Sequence, residues 1–151
     1  MKLKSLEDTR NFSAKISKVI NPGDSIFLYG EIGVGKTTFV RFLINYLETK
    51  KKIKNSDVLS PTFNIVYNYD VGDTKILHFD LYRVKNYNDI VQLGMFENSR
   101  DSIKIIEWPD LIKQKPEDRI EILFKYSAKL DTREVNVRSF GKCKNYKVND
   151  I

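Results

Sequence analysis

Gly30-Glu31-Ile32-Gly33-Val34-Gly35-Lys36-Thr37 constrains this chain more than any other stretch. It fits glycine, four arbitrary residues, glycine, lysine and then serine or threonine at every fixed position, the pattern of a loop that wraps a phosphate. Its surroundings agree. Ser25 to Tyr29 is a short continuous apolar run of the kind that fills a buried parallel strand. Beyond the loop, Phe39, Val40, Phe42, Leu43 and Leu47 recur at helical spacing as far as Glu48. Glycines let backbone N–H groups turn inward on an anion, and a helix starting near Lys36 aims the positive end of its dipole at the same point. Lys36 is then placed to reach the β- and γ-phosphates of a nucleotide, and Thr37 to offer its hydroxyl to Mg2+. Glu31, Gly33, Val34, Gly35 and Thr38 complete the expected nucleotide-contacting set, Thr38 through its place in the first helical turn.

The remaining elements read as follows. Phe12, Ile16, Val19 and Ile20 mark an amphipathic helix from about Ser5 to Ile20. Asn64 to Tyr69 and Lys75 to Phe79 read as strands joined by a turn at Asp70-Val71-Gly72-Asp73. Tyr87 to Leu93 is a short helix and Ser102 to Ile106 a further strand. Arg119 to Tyr126 and Arg133 to Arg138 alternate apolar and polar, as a closing antiparallel hairpin does. The expected fold is α/β: a three-layer fold like that of phosphate-loop NTPases, with a mixed, mostly parallel sheet, helices on both faces and a C-terminal antiparallel hairpin. Residues 1–141 form one expected domain, and 142–151 a polar, frayed tail from Gly141 onward.

A phosphate loop needs an acidic partner at the end of a neighbouring strand to hold Mg2+. Asp80 ends one apolar strand and Glu107 another, where α/β sheets expose their ligands. The shorter Asp80 suits the metal, and Glu107 has the reach to orient an attacking water, so both are candidate metal and catalytic carboxylates. Thr62 follows a proline and reads either as a switch-loop hydroxyl sensing the γ-phosphate or as a turn cap. The lone tryptophan, Trp108, reads as packing, His78 as a structural hydrogen-bonded histidine, and Arg83 as a salt-bridge partner rather than an arginine finger.

Composition bounds the rest. The chain has 151 residues and a net charge of +6, and its 30% charged and 41% hydrophobic content exclude a disordered or collagen-like chain. The single cysteine, Cys143, excludes an intramolecular disulfide and a cysteine-cluster metal site. No apolar run spans a bilayer and none leads the N-terminus, so a cytoplasmic protein with no membrane contact is expected. Lysine outnumbers arginine 19 to 7 beside 12 asparagines and 16 isoleucines, a bias that AT-rich codons share, so the charge says little about partners. The basic run Lys50 to Lys54 reads as a solvated loop.

Five segments occur in a telling order: the loop at 30–37, Ser60-Pro61-Thr62-Phe63, His78-Phe79-Asp80-Leu81-Tyr82-Arg83, Leu93-Gly94, and Ile106-Glu107-Trp108-Pro109. Together they resemble the bacterial TsaE family, also called YjeE, over about residues 5–138. The resemblance implies a protein of tRNA threonylcarbamoyladenosine synthesis that binds ATP and Mg2+. It implies docking on TsaB and TsaD, and hydrolysis that resets the complex, with tRNA involved only indirectly. The family's magnesium aspartate falls on Asp80, its Glu-Trp pair on Glu107 and Trp108, and its switch-like threonine on Thr62. Glu31, Ile32 and Val34 depart from the family's usual residues, and 95–100 matches its pattern poorly.

Other classes remain as alternatives. A small-molecule kinase of the phosphate-loop class needs a lid that supplies arginines, and no arginine-rich insertion occurs. A GTP switch needs an Asn-Lys-x-Asp segment, which is absent. A nucleic-acid-binding module leaves the phosphate loop unexplained.

Overall fold

Ser5 opens the first helix by accepting a hydrogen bond from the Asp8 amide at 3.0 Å, with Glu7 and Asp8 complementing the positive helix end. The helix, α1 (Leu6–Val19), turns Phe12 and Ile16 inward. This computed structural model describes residues 1–97, 99–128 and 132–146. Along it follow β2 (Ser25–Tyr29), α2 (Lys36–Lys50), β3 (Val66–Val71), β4 (Thr74–Asp80), α3 (Tyr87–Gln92), β5 (Ser102–Glu107), β6 (Arg119–Tyr126) and β7 (Arg133–Phe140), with a short β1 (Lys2–Leu3) before α1.

Among the described residues the strands form one seven-stranded sheet in the order β1-β7-β6-β2-β5-β4-β3. Pairings β2–β5, β2–β6 and β4–β5 are parallel, and β3–β4, β6–β7 and β1–β7 antiparallel. The sheet is therefore mixed rather than mostly parallel. Its central strands are joined by crossovers, whereas Gly72 and Asp73 alone connect β3 to β4, a link that only antiparallel neighbours allow. The C-terminal hairpin is present as expected, β7 extending to Phe140. β1 was not foreseen, because two residues carry no periodicity.

Strand alternation sorts the side chains. Ile26 and Leu28 of β2 join the cluster built on α1 and α2, while Phe27 joins a second cluster with Phe79, Ile106 and Ile90 of α3. Phe39 of α2 sits between Phe12 and Phe124, with ring centroids 5.2 and 5.8 Å away. Ile76 starts the α2-facing row of β4, so His78 and Asp80 follow it at period two. Ile103 and Ile105 lead Glu107 the same way on β5. That alternation carries both carboxylates toward the phosphate loop.

The segment from Gly141 is folded rather than frayed as far as Tyr146. Gly141–Asn145 is a 3-10 turn with Cys143 fully buried. The Tyr146 hydroxyl donates to Oδ2 of the buried Asp24 at 2.7 Å, and Lys142 Nζ lies 3.1 Å from Oδ1. Residues 147–151 of the expected tail lie outside the described residues.

Burial, helped by the Asp24 carboxylate, pushes the Cys143 thiol up to about 12 from its ordinary 9.0. Because the folded value is the higher one, this contribution to stability is complete below pH 9 and is lost as pH rises from 9 to 12. Thermal unfolding between pH 9 and 11 should therefore steepen in wild type relative to Cys143→Ala, by up to about 1.4 kcal/mol per pH unit. Identical slopes in the two proteins would contradict it.

Candidate active site

The loop after β2 needs its glycines. Gly30 has φ 133°, and a Cβ there would collide with the carbonyl oxygen of Phe124. Gly35, at φ 112°, caps α2 and leaves no side chain bonded across its first amides. Lys36 is nearly buried. Its ammonium donates to the carbonyls of Gly30 and Glu31 at 2.7 and 2.9 Å and lies 3.8 Å from the centre of the Trp108 ring. Burial lowers its pKa, while Glu107 and Asp80 act against that shift.

The C-terminal hairpin braces the loop from outside. Tyr126 donates its hydroxyl to Ile32 O at 3.1 Å, and Arg133 Nε donates to Val34 O at 3.2 Å. Neither residue was a site candidate from sequence, since contacts across 94 and 99 positions leave no local signal.

Two buried carboxylates face the loop. Thr37 donates its hydroxyl to Glu107, whose oxygens lie at 2.9 and 3.1 Å. His78 Nε2 lies 2.9 Å from Oε1 of the same group. Asp80 lies one strand farther out and accepts from Thr62 Oγ1 at 2.5 Å and from the Tyr82 amide at 2.9 Å. Thr62 thus bonds the carboxylate that ends β4 and lies 2.7 Å from Ser60 Oγ. Ser60, which sequence reasoning did not single out, adds a 3.3 Å contact to Asp80.

Backbone strain concentrates here. Trp108 has φ 58° and Ile65 φ 66°, both unusual for non-glycine residues and rarer still for a β-branched one. Ile65 is held by its amide on Pro61 O and its carbonyl on the Asp80 amide, which pins the Ser60–Phe63 loop to the end of β4. Trp108 is held by its amide on Leu28 O, and its ring meets Tyr82 at 5.0 Å.

These groups line a cavity of about 280 Å³ bounded by Ile32, Gly33, Gly35, Lys36, Thr37, Thr38, Ser60, Thr62, Asp80, Tyr82, Glu107 and Trp108. Of the expected site residues, two do not line it. Val34 buries its side chain in the core, and Glu31 faces a neighbouring opening, so both are present only through backbone. Arg83 lies 4.0 Å over the Phe63 ring rather than on a carboxylate, which corrects the salt-bridge expectation among the described residues. A larger cavity of about 660 Å³, lined in part by Gly23, Tyr87, Arg100 and Lys115, opens at the opposite ends of the strands, away from the loop.

The donor set suits a hard cation: one hydroxyl and two carboxylates, all oxygen. Among the described residues no three His, Cys, Asp or Glu side chains form a closed metal cage.

The family model for Threonylcarbamoyl adenosine biosynthesis protein TsaE matches residues 3–135. The chain belongs to the TsaE family. A TsaE of Rickettsia bellii (strain RML369-C) is 36% identical over 124 residues, covering 82% of this chain and 83% of the relative. A TsaE of Aquifex aeolicus (strain VF5) is 38% identical over 125 residues, covering 80% and 85%. The crystal structure of Bacillus subtilis YdiB superposes with a TM-score of 0.74 at 25% identity, covering 100% of this chain and 95% of YdiB. The TsaE segments named from the sequence, around Thr62, Asp80 and Glu107, are those that meet at the cavity. The poorly matching stretch 95–100 lies outside it, and residue 98 lies outside the described residues. Among the described residues no helix is long and apolar enough to cross a membrane.

Proposed function

We propose that this TsaE protein binds ATP with Mg2+ in the cavity at the phosphate loop and hydrolyses it as part of the threonylcarbamoyladenosine machinery, with TsaB and TsaD as partners. The observation that carries the proposal is the convergence of Lys36, Thr37, Asp80 and Glu107 on one cavity beside a glycine loop that opens a helix. The layering, with β2 feeding that loop into α2, is read as a phosphate-loop NTPase fold.

Each residue has a role. Lys36 neutralises the β- and γ-phosphates. The α2 amides and Gly33, Gly35 and Thr38 cradle the phosphate chain. Thr37, Asp80 and Glu107 would hold Mg2+. When bound, the metal offsets charge developing on the phosphates. Glu107 also orients the attacking water, and Thr62, through Asp80, couples the Ser60–Phe63 loop to the state of the γ-phosphate.

Among the described residues, Lys36 is the one cation that lines the cavity, and no arginine lines it. Intrinsic turnover is therefore slow, because an added arginine is a large share of catalysis in this chemistry. Around the mouth, Ile32, Phe63 and Tyr82 are well exposed, an apolar rim suited to a protein partner that closes the site. Calorimetric titration tests the nucleotide: Mg2+-dependent binding of ATP in preference to GTP is expected. Phosphate transfer to a metabolite in an acceptor screen would favour the kinase alternative instead.

A further inference from the structure

His78 is the only histidine of the chain and is fully buried. It lies two residues before Asp80 on β4, yet its hydrogen bond goes to the neighbouring strand. Nε2 lies 2.9 Å from Oε1 of Glu107, while Nδ1 has no hydrogen-bond partner among the described residues. An ionised carboxylate only accepts, so the nitrogen that faces it must carry a proton. The tautomer protonated at Nε2 satisfies this and leaves only a lone pair unmatched at Nδ1. The alternative tautomer would set a lone pair against the carboxylate and bury an unpaired N–H.

Glu107 is thereby gripped from two sides. Thr37 reaches it from α2 at 2.9 and 3.1 Å, and His78 from β4. It is also the last residue of β5, and the chain leaves through Trp108 in a left-handed conformation. Strand pairing ends there, so side-chain contacts must fix the carboxylate. Outer contacts of this kind set the orientation of metal-holding groups.

We propose that His78 is a positioning residue. Its Nε2–H fixes Oε1 of Glu107, so that Glu107 and Thr37 present their oxygens together toward the phosphate loop. The inference rests on the nucleotide reading above but assigns a role that reading does not contain. His78 is fully buried and is not among the residues that line the cavity. A histidine that merely fills space predicts a different outcome on substitution.

Side-chain geometry supplies the test. Glutamine carries its amide nitrogen about where Nε2 of histidine lies, and asparagine about where Nδ1 lies. His78→Gln, His78→Asn and His78→Leu are compared with wild type by titrating a nonhydrolysable ATP analogue at stepped Mg2+ concentrations, with thermal unfolding alongside. His78→Asn and His78→Leu should need about 10- to 100-fold more Mg2+ for half-maximal tightening of binding, with Mg2+-free affinity unchanged. His78→Gln should stay close to wild type. Asparagine matching glutamine, or leucine with the wild-type Mg2+ requirement, would overturn the assignment. Should His78→Leu fail to fold, the glutamine–asparagine pair decides alone. Failure of the nucleotide reading itself shows separately, as a wild-type titration without any response to Mg2+.

Discussion

Lys36→Ala is expected to weaken ATP binding by about 10- to 100-fold, the equivalent of losing a charge-assisted hydrogen bond to the phosphates. The ammonium sits inside the loop, donating to Gly30 and Glu31. Burial lowers its pKa, and Glu107 and Asp80 oppose that shift. Equilibrium binding of ATP to wild type and Lys36→Ala reads the effect, with thermal unfolding as the check on folding. Equal affinities in two folded proteins would remove Lys36 from the site.

Glu107→Gln is expected to slow ATP hydrolysis by about 100-fold or more, the scale on which a positioned base contributes. ATP binding at saturating Mg2+ should hold within a few-fold. Glutamine keeps an oxygen to accept from Thr37 and His78 but loses the charge. Asp80→Ala offers the comparison, because Asp80 is bonded to Thr62 rather than Thr37. It should raise the Mg2+ requirement of hydrolysis more than it weakens nucleotide binding. An unchanged Mg2+ requirement in Asp80→Ala would leave Glu107 as the metal-holding carboxylate. Undiminished hydrolysis in Glu107→Gln would exclude Glu107 from the chemistry.

The loop was legible because its chemistry is local. Glycine, lysine and threonine at fixed spacing between an apolar strand and an apolar-periodic helix leave few alternatives. Asp80 and Glu107 were legible as strand ends for the same reason. Which of them touches Thr37 was not. That depends on strand order: β5 lies beside β2 and β4 lies one strand farther out, so Glu107 meets α2 and Asp80 meets the Ser60–Phe63 loop. The brace from Tyr126 and Arg133 was invisible because it ends on backbone carbonyls, which every residue carries. The left-handed turn at Trp108 was equally hidden, since tertiary contacts override a preference against it. At the C-terminus a polar composition concealed one buried anchor, Asp24, which draws Lys142 and Tyr146 back onto the domain.

The most direct measurement is ATP hydrolysis by the purified protein, alone and with TsaB and TsaD from the same source. Slow turnover alone, a rise of at least about tenfold with the partners, and loss of that rise in Lys36→Ala are expected for a site whose partners complete it. Fast turnover by the isolated chain, or no response to the partners, would contradict a partner-gated ATPase.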